Sequence, residues 1–166
     1  MSVTERETKK NDLDNMAEKT IAGMIKQDAG LQKKIDKALG YGVANMKVTK
    51  VPIIGAGGGE GVFVNSKTKK RTYFTVTRLD IGGGWGARSY KILMVVDSKE
   101  ILDSMKGGYW EFNSGVEASV GTASADNSSH PADAGFSLHV LSDGGASATA
   151  TVRVINVKVS HELSVQ

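Results

Sequence analysis

Apolar positions recur along this chain at two different periods, and the change from one to the other falls at Gly40. From Asn11 to Gln27, Leu13, Met16, Ala17, the Thr20 methyl, Ile21, Met24 and Ile25 repeat at helical spacing, which predicts an amphipathic helix with Asn11 as its N-cap. The residues before it, 1–10, are polar and read as a disordered tail. Asp28-Ala29-Gly30 breaks the pattern. Leu31 to Leu39 then predicts a second, shorter helix with Leu31, Ile35, Ala38 and Leu39 inward, Lys33, Lys34 and Lys37 outward, and Gly40 as its stop.

Beyond Gly40 the period falls to two, the signature of strands. Strands are predicted at Tyr41 to Lys47, Thr49 to Ala56 (with Pro52 at an edge or bulge), Glu60 to Asn65 and Arg71 to Asp80. Ser66 to Lys70 is the hairpin loop between the last two. Ala87 to Val96 is the most apolar strand and reads as central. Asp97 to Lys106 predicts an inserted helix, with Asp97 and Glu100 as a capping pair, Ile101, Leu102 and Met105 on one face, and Gly107-Gly108 as its end. Gly115 to Ala123 alternates weakly, and Ser124 to Gly135 is a polar loop. Phe136 to Leu141 and Ala146 to Val159, joined at Asp143-Gly144-Gly145, predict a C-terminal hairpin. The expected fold class is α+β: two N-terminal helices packed on a curved, mainly antiparallel, glycine-rich sheet or partial barrel with one inserted short helix. There is no βαβ rhythm and no repeat of solenoid type, so residues 11–166 read as a single domain.

Glycines occupy 55, 57, 59 and 61, and again 82, 84 and 86, each row at strand period. A phosphate-binding loop does not fit them. Glu60 and Val62 stand where a dinucleotide fingerprint needs glycine, no Gly-Lys-Ser/Thr follows, and neither row opens a helix. The rows therefore read as places where the sheet bends or another group packs closely.

An ordered set of short motifs resembles the SYLF lipid-binding domain family: Gly57-Gly58-Gly59-Glu60-Gly61-Val62, Lys70-Arg71-Thr72-Tyr73, Gly84-Trp85-Gly86-Ala87, Ser89-Tyr90-Lys91-Ile92 and Gly108-Tyr109-Trp110-Glu111-Phe112. The resemblance runs from about Leu31 to Leu163 and is closest to the bacterial envelope lipoproteins of the family, which also includes yeast actin-patch regulators. Arg88 stands where the family pattern has glutamine, and Lys158 to Leu163 lacks its aromatic ending. The resemblance implies a non-enzymatic domain that contacts anionic membrane lipids. It also implies a periplasmic or outer-membrane-associated protein, of which this chain is the mature part without its anchor. The alternative is a structural or protein-interaction domain of the envelope, with actin-type partner binding as the eukaryotic version.

Composition leaves this picture standing and removes other classes. At 166 residues with 40% hydrophobic and 23% charged content, the chain is long enough for one real core. No run approaches a membrane-spanning helix, and no apolar stretch behind Met1 reads as a signal peptide. With no Cys there is no thiolate chemistry. His130, His139 and His161 lack metal-ligand spacing and read as structural or solvent-facing, so no metal and no cofactor is expected. No nucleophile elbow or zincin motif is present, and Asp80 reads as a strand-end residue. Tyr73, Phe74 and Trp85 offer stacking surfaces, but no nucleic-acid motif accompanies them and no nucleic-acid partner is expected.

Charge adds the functional candidate. The net charge of +3 hides a middle segment, 41–91, with 9 basic and 2 acidic side chains, net +7. Within it Lys67, Lys69, Lys70 and Arg71 crowd one hairpin loop, and Lys47 and Lys50 are candidates to assist them at an anionic lipid surface. The first helix carries four acids (Asp12, Asp14, Glu18, Asp28) against Lys19 and Lys26, which favours docking on the sheet over lying in a membrane interface.

Overall fold

The computed structural model describes residues 2–48, 57–82, 89–113, 135–142, 147–149 and 151–164. Helix α1 (Val3–Gln27) and helix α2 (Leu31–Lys37) precede strands β1 (Gly40–Val48), β2 (Gly57–Asn65), β3 (Arg71–Gly82) and β4 (Ser89–Val96). Helix α3 (Lys99–Gly107) is inserted before β5 (Tyr109–Asn113), β6 (Phe136–Ser142), β7 (Ser147–Thr149) and β8 (Thr151–Val159), and a single turn, α4 (His161–Ser164), follows. The strands form one curled antiparallel sheet in the order β5-β8-β3-β2-β1-β4-β6-β7. The α+β architecture, with N-terminal helices, a curled sheet and an inserted helix, is the one the periodicity predicts.

The curl follows from connectivity. β7 and β8 lie near opposite ends of the strand order, yet only residue 150 separates them in the chain. Two peptide units span at most about 7 Å, so the ends of the sheet must approach each other. The expected C-terminal hairpin, with one continuous arm from Ala146 to Val159, is corrected accordingly. Ser147–Thr149 pairs with β6, whereas Thr151–Val159 crosses to pair with β3 and β5. Register shifts in the β3–β8 ladder, between Val76 and Arg78 and between Asp80 and Ile81, supply local bending.

One face of the sheet is the inside of the curl. Its core joins Ala44, Met46, Phe74, Ile92, Leu138 and Val157, among others, drawn from both ends of the sheet. Phe136 of β6 meets Trp110 and Phe112 of β5 edge to face, at centroid distances of 5.2 and 5.0 Å, and so bridges the two margins. α3 plugs this interior with Ile101 and Met105.

The first glycine row explains how the sheet bends so tightly. In register, Gly59 faces Met46 and Gly61 faces Ala44 on the inner side. A Cβ on Gly59 would collide with the Asn45 carbonyl oxygen and come within 2.6 Å of Met46 Sδ. One on Gly61 would meet the Val43 carbonyl oxygen, Phe74 Cζ at 2.7 Å and Ala44 Cα at 2.9 Å. These glycines leave room for a neighbouring strand and a ring, as their spacing suggested. The second row lies outside the described residues apart from Gly82 in β3, as do Trp85, Arg88, the strand expected at Thr49 to Ala56, the one expected at Gly115 to Ala123, and His130.

The helices cover the other face. Leu13, Ala17, Thr20 and Met24 of α1 are buried, and they pack with Leu31, Ile35, Val43, Val62, Leu93 and Val95. Thr20 returns its hydroxyl to the Met16 carbonyl at 2.8 Å, which lets it sit in this apolar seam. The start of α1 corrects the expectation of a disordered tail capped at Asn11. Ser2 Oγ accepts from Glu5 N at 3.1 Å, and the Glu5 carboxylate accepts from Ser2 N at 3.0 Å. This capping box, Ser-x-x-Glu, starts the helix eight residues ahead of Asn11. α3 is likewise capped by Ser98, whose hydroxyl accepts from Ile101 N, rather than by Asp97. α2 ends at Lys37, and Gly40 is the first residue of β1 rather than a helix stop.

Candidate functional site

The hairpin between β2 and β3 is held rigidly by Asn65. Its side-chain oxygen accepts from Lys67 N and Thr68 N at 3.0 and 3.1 Å, in the manner of an Asx turn. Its backbone accepts from Lys69 N at 2.8 Å and donates to the Lys70 carbonyl at 3.0 Å. Lys69 takes a positive φ of 62°, and Thr68 Oγ1 accepts from Lys70 N. Lys67, Lys69 and Lys70 are thereby displayed, exposed, on a loop with little freedom left to lose.

Arg71, beside this loop, is paired within the protein. Its guanidinium lies 2.6 Å from Asp14 of α1, and Tyr73 donates its hydroxyl to the same carboxylate at 3.1 Å. Burial works against the Arg71 charge, but Asp14 and Tyr73 outweigh it and hold the guanidinium pKa above its usual value. Burial and then Asp14 push the Tyr73 hydroxyl up to about 12, against the opposing pull of Arg71. Lys10 lies over the Tyr73 ring, 5.8 Å from its centroid. Arg71 therefore fastens β3 to the first helix while its side chain stays part-exposed.

Lys47 does not join the hairpin either. In the β1–β2 ladder Gly40 pairs with Asn65 and Lys47 with Gly58, so Lys47 stands seven residues, about 23 Å, from the hairpin end of β2. It is exposed there. Lys50 lies outside the described residues. Of the six basic candidates, the structure gathers Lys67, Lys69 and Lys70 as an exposed group.

Other lysines, missed in the sequence, stand beside them. Leu39 N donates to the Val96 carbonyl at 2.9 Å, and the Leu39 carbonyl accepts from Ser66 N at 3.0 Å. These bonds tie the hairpin, the entry to β1 and the exit of β4 together at one end of the sheet, where the chain turns into α3. Two adjoining depressions open there. One, of about 390 Å³, is lined by Phe63, Lys70, Leu102, Met105 and Lys106, among others. The second, of about 510 Å³, is lined by Leu39, Ser66, Lys67, Lys99, Leu102 and Lys106, among others. Asn65, Thr68, Leu102 and Lys106 line both. Leu39, expected to point inward, is 41% exposed, because α2 ends early and Leu39 already pairs with the neighbouring strands. The sequence did carry a signal for the α3 contribution: Lys99, Leu102 and Lys106 are three and four residues apart, on one helical stripe.

Among the described residues, no three His, Asp or Glu side chains come together to hold a metal ion, and no helix is long and apolar enough to cross a membrane. His139 is buried on β6, paired with Leu93 of the helix-covered face, and shares a 3.1 Å hydrogen bond with Ser137. Burial, reinforced by Lys34 and opposed by Asp28, lowers its pKa to about 4. His161 sits beside Gly108, on the rim of the smaller depression.

No protein-family model matches the chain. Over 114 residues, or 69% of its length, it is 26% identical to the "Beta cell expansion factor A" of Aeromonas veronii. The match spans 43% of that protein, so this chain corresponds to less than half of the relative.

Proposed function

We propose that this protein is a non-enzymatic module that binds anionic membrane lipids through the end of the sheet carrying the β2–β3 hairpin and α3. The observation that carries the reading is the gathering of Lys67, Lys70, Lys99 and Lys106 along the two adjoining depressions, one of which the exposed Leu39 also lines, with Lys69 on the same hairpin. Each Lys close to a charged bilayer contributes about 1 kcal/mol, so such a group is enough for reversible attachment where one or two would not be. The rigid hairpin limits the entropy lost on contact, and an exposed leucine among lysines suits the boundary between head groups and acyl chains. The resemblance of the sequence to SYLF domains supports the same reading, and with it a place at the bacterial envelope. The name of the Aeromonas relative refers to beta cells and mentions no ligand.

Co-sedimentation with vesicles tests the proposal. Wild type should bind vesicles containing phosphatidylglycerol or cardiolipin, weakly with neutral phosphatidylcholine, and binding should fall steeply as salt rises. The variant with Lys67, Lys69 and Lys70 all changed to Glu should lose most of it. Arg71 is left intact in this variant because reversing it would set two carboxylates against each other at Asp14. Equal binding by wild type and variant removes the hairpin from the contact, and no binding of wild type to any anionic vesicle removes the proposal.

A further inference from the structure

A basic surface needs only lysines, but this end of the molecule also has a shaped apolar recess. The two depressions share Leu102 and Lys106 and meet beneath the hairpin, each with a volume in the range that holds one small ligand. Their floor is Phe63, Met105, Leu102 and Leu39, and their rim is Lys67, Lys70, Lys99 and Lys106. No carboxylate is among the described residues that line either one, and among the described residues no ion pair engages the rim lysines. A second observation is independent of the lysines. Ser66 Oγ, in the wall between Leu39 and Lys67, is buried with no hydrogen-bond partner among the described residues. An unsatisfied buried hydroxyl is unfavourable, and rotation about its χ1 bond would offer it to an acceptor in the recess.

We infer that this recess takes a single-chain anionic amphiphile, its carboxylate held between Lys67, Lys99 and Lys106 with Ser66 donating, and its chain laid over Leu102 and Leu39. The inference rests on the anionic-lipid reading of the same end of the protein and narrows it from a charged surface to one bound molecule. The recess discriminates by both parts of the ligand. A carboxylate or phosphate without a chain leaves the leucines uncovered, and a chain with an uncharged head leaves the lysines without their counter-ion.

Titration with sodium dodecanoate below its micelle concentration, followed by calorimetry and by amide chemical shifts, tests this directly. Saturable one-to-one binding is expected, with the largest shifts at Leu39, Ser66 and Leu102. Lys99→Glu with Lys106→Glu, and separately Leu39→Glu, should each weaken it about tenfold or more. All three positions are exposed, so these variants should fold. Lys47→Glu, at the far end of β1, should leave the affinity within about twofold. Sodium acetate and decyl maltoside should each bind at least about tenfold more weakly than dodecanoate. Equal affinity for acetate or for the maltoside, or no effect of either set of substitutions, overturns the inference. If dodecanoate fails to bind while wild type still sediments with anionic vesicles, the recess is not a ligand site and the surface reading stands. If vesicles also fail, both fall.

Discussion

The two faces of the sheet are held to their neighbours by different forces. Inside the curl, strand register brings Phe136 against Trp110 and Phe112, and glycine at 59 and 61 lets backbone and ring close in. On the outer face, α1 docks by a stripe of Leu13, Ala17, Thr20 and Met24, and polar contacts fasten its margin: Asp14 to Arg71 and Tyr73, and Lys9 to Glu60 at 3.0 Å. The buried His139 lies on this outer face as well. Contacts of the first kind respond to shape. Those of the second kind respond also to pH and salt, so solvent conditions should loosen the helices before they loosen the curl.

The largest effect expected from breaking this contrast is steric. Gly61→Val should cost about 3 kcal/mol, near the upper end for overpacking, because two of the three groups its side chain would strike are backbone atoms. Urea denaturation measures it; a loss below about 1 kcal/mol would mean the inner strands yield as readily as the helices.

A similar magnitude is expected from His139, but only with pH. Its pKa in the folded protein, about 4, lies below its ordinary 6.5, so the unfolded chain binds more protons between these values. Its contribution is complete above pH 6.5 and is lost as pH falls toward 4, amounting to about 3 kcal/mol over the whole window. Carboxylates titrate nearby, so the measurement is a difference. His139→Leu should flatten the stability profile between pH 6.5 and 4.5 relative to wild type, and parallel profiles would show that the imidazole is not desolvated.

Smaller again is the effect of the α1 fastening. Asp14→Asn should cost about 1 kcal/mol, as the Arg71 side chain is 45% exposed and solvent screens the pair. The sharper readout is where the loss falls. Hydrogen exchange should quicken across Met16 to Met24 while the amides of β4 keep their protection. Uniform quickening would mean that helix and sheet unfold as one unit. The smallest effect on stability, within about 0.5 kcal/mol, is expected for the Lys67, Lys69 and Lys70 to Glu variant, which makes it a clean test of binding.

Local pattern determined a good part of this protein. The helical stripe from Leu13 to Ile25 and the strands around the Ser66 to Lys70 loop depend on neighbours a few residues apart, and periodicity records those directly. Packing of Gly59 was legible too, since glycine at strand spacing is unfavourable without such a contact. Even the true start of α1 was written in Ser2 and Glu5, although the polar run around them hid it. Tertiary structure decided the rest. Whether Thr151–Val159 continues a hairpin with β6 or crosses to β3 depends on which sheet margin lies within reach of the end of β7, and alternation reads the same for either partner. The candidate site was divided in the same way. Lys67, Lys69, Lys70 and Arg71 look alike in sequence, but only Arg71 is placed against Asp14, 57 positions earlier, while Lys99 and Lys106 arrive from a later helix. Charge along a chain shows which groups are available; which of them face solvent together is fixed by contacts between residues far apart in sequence.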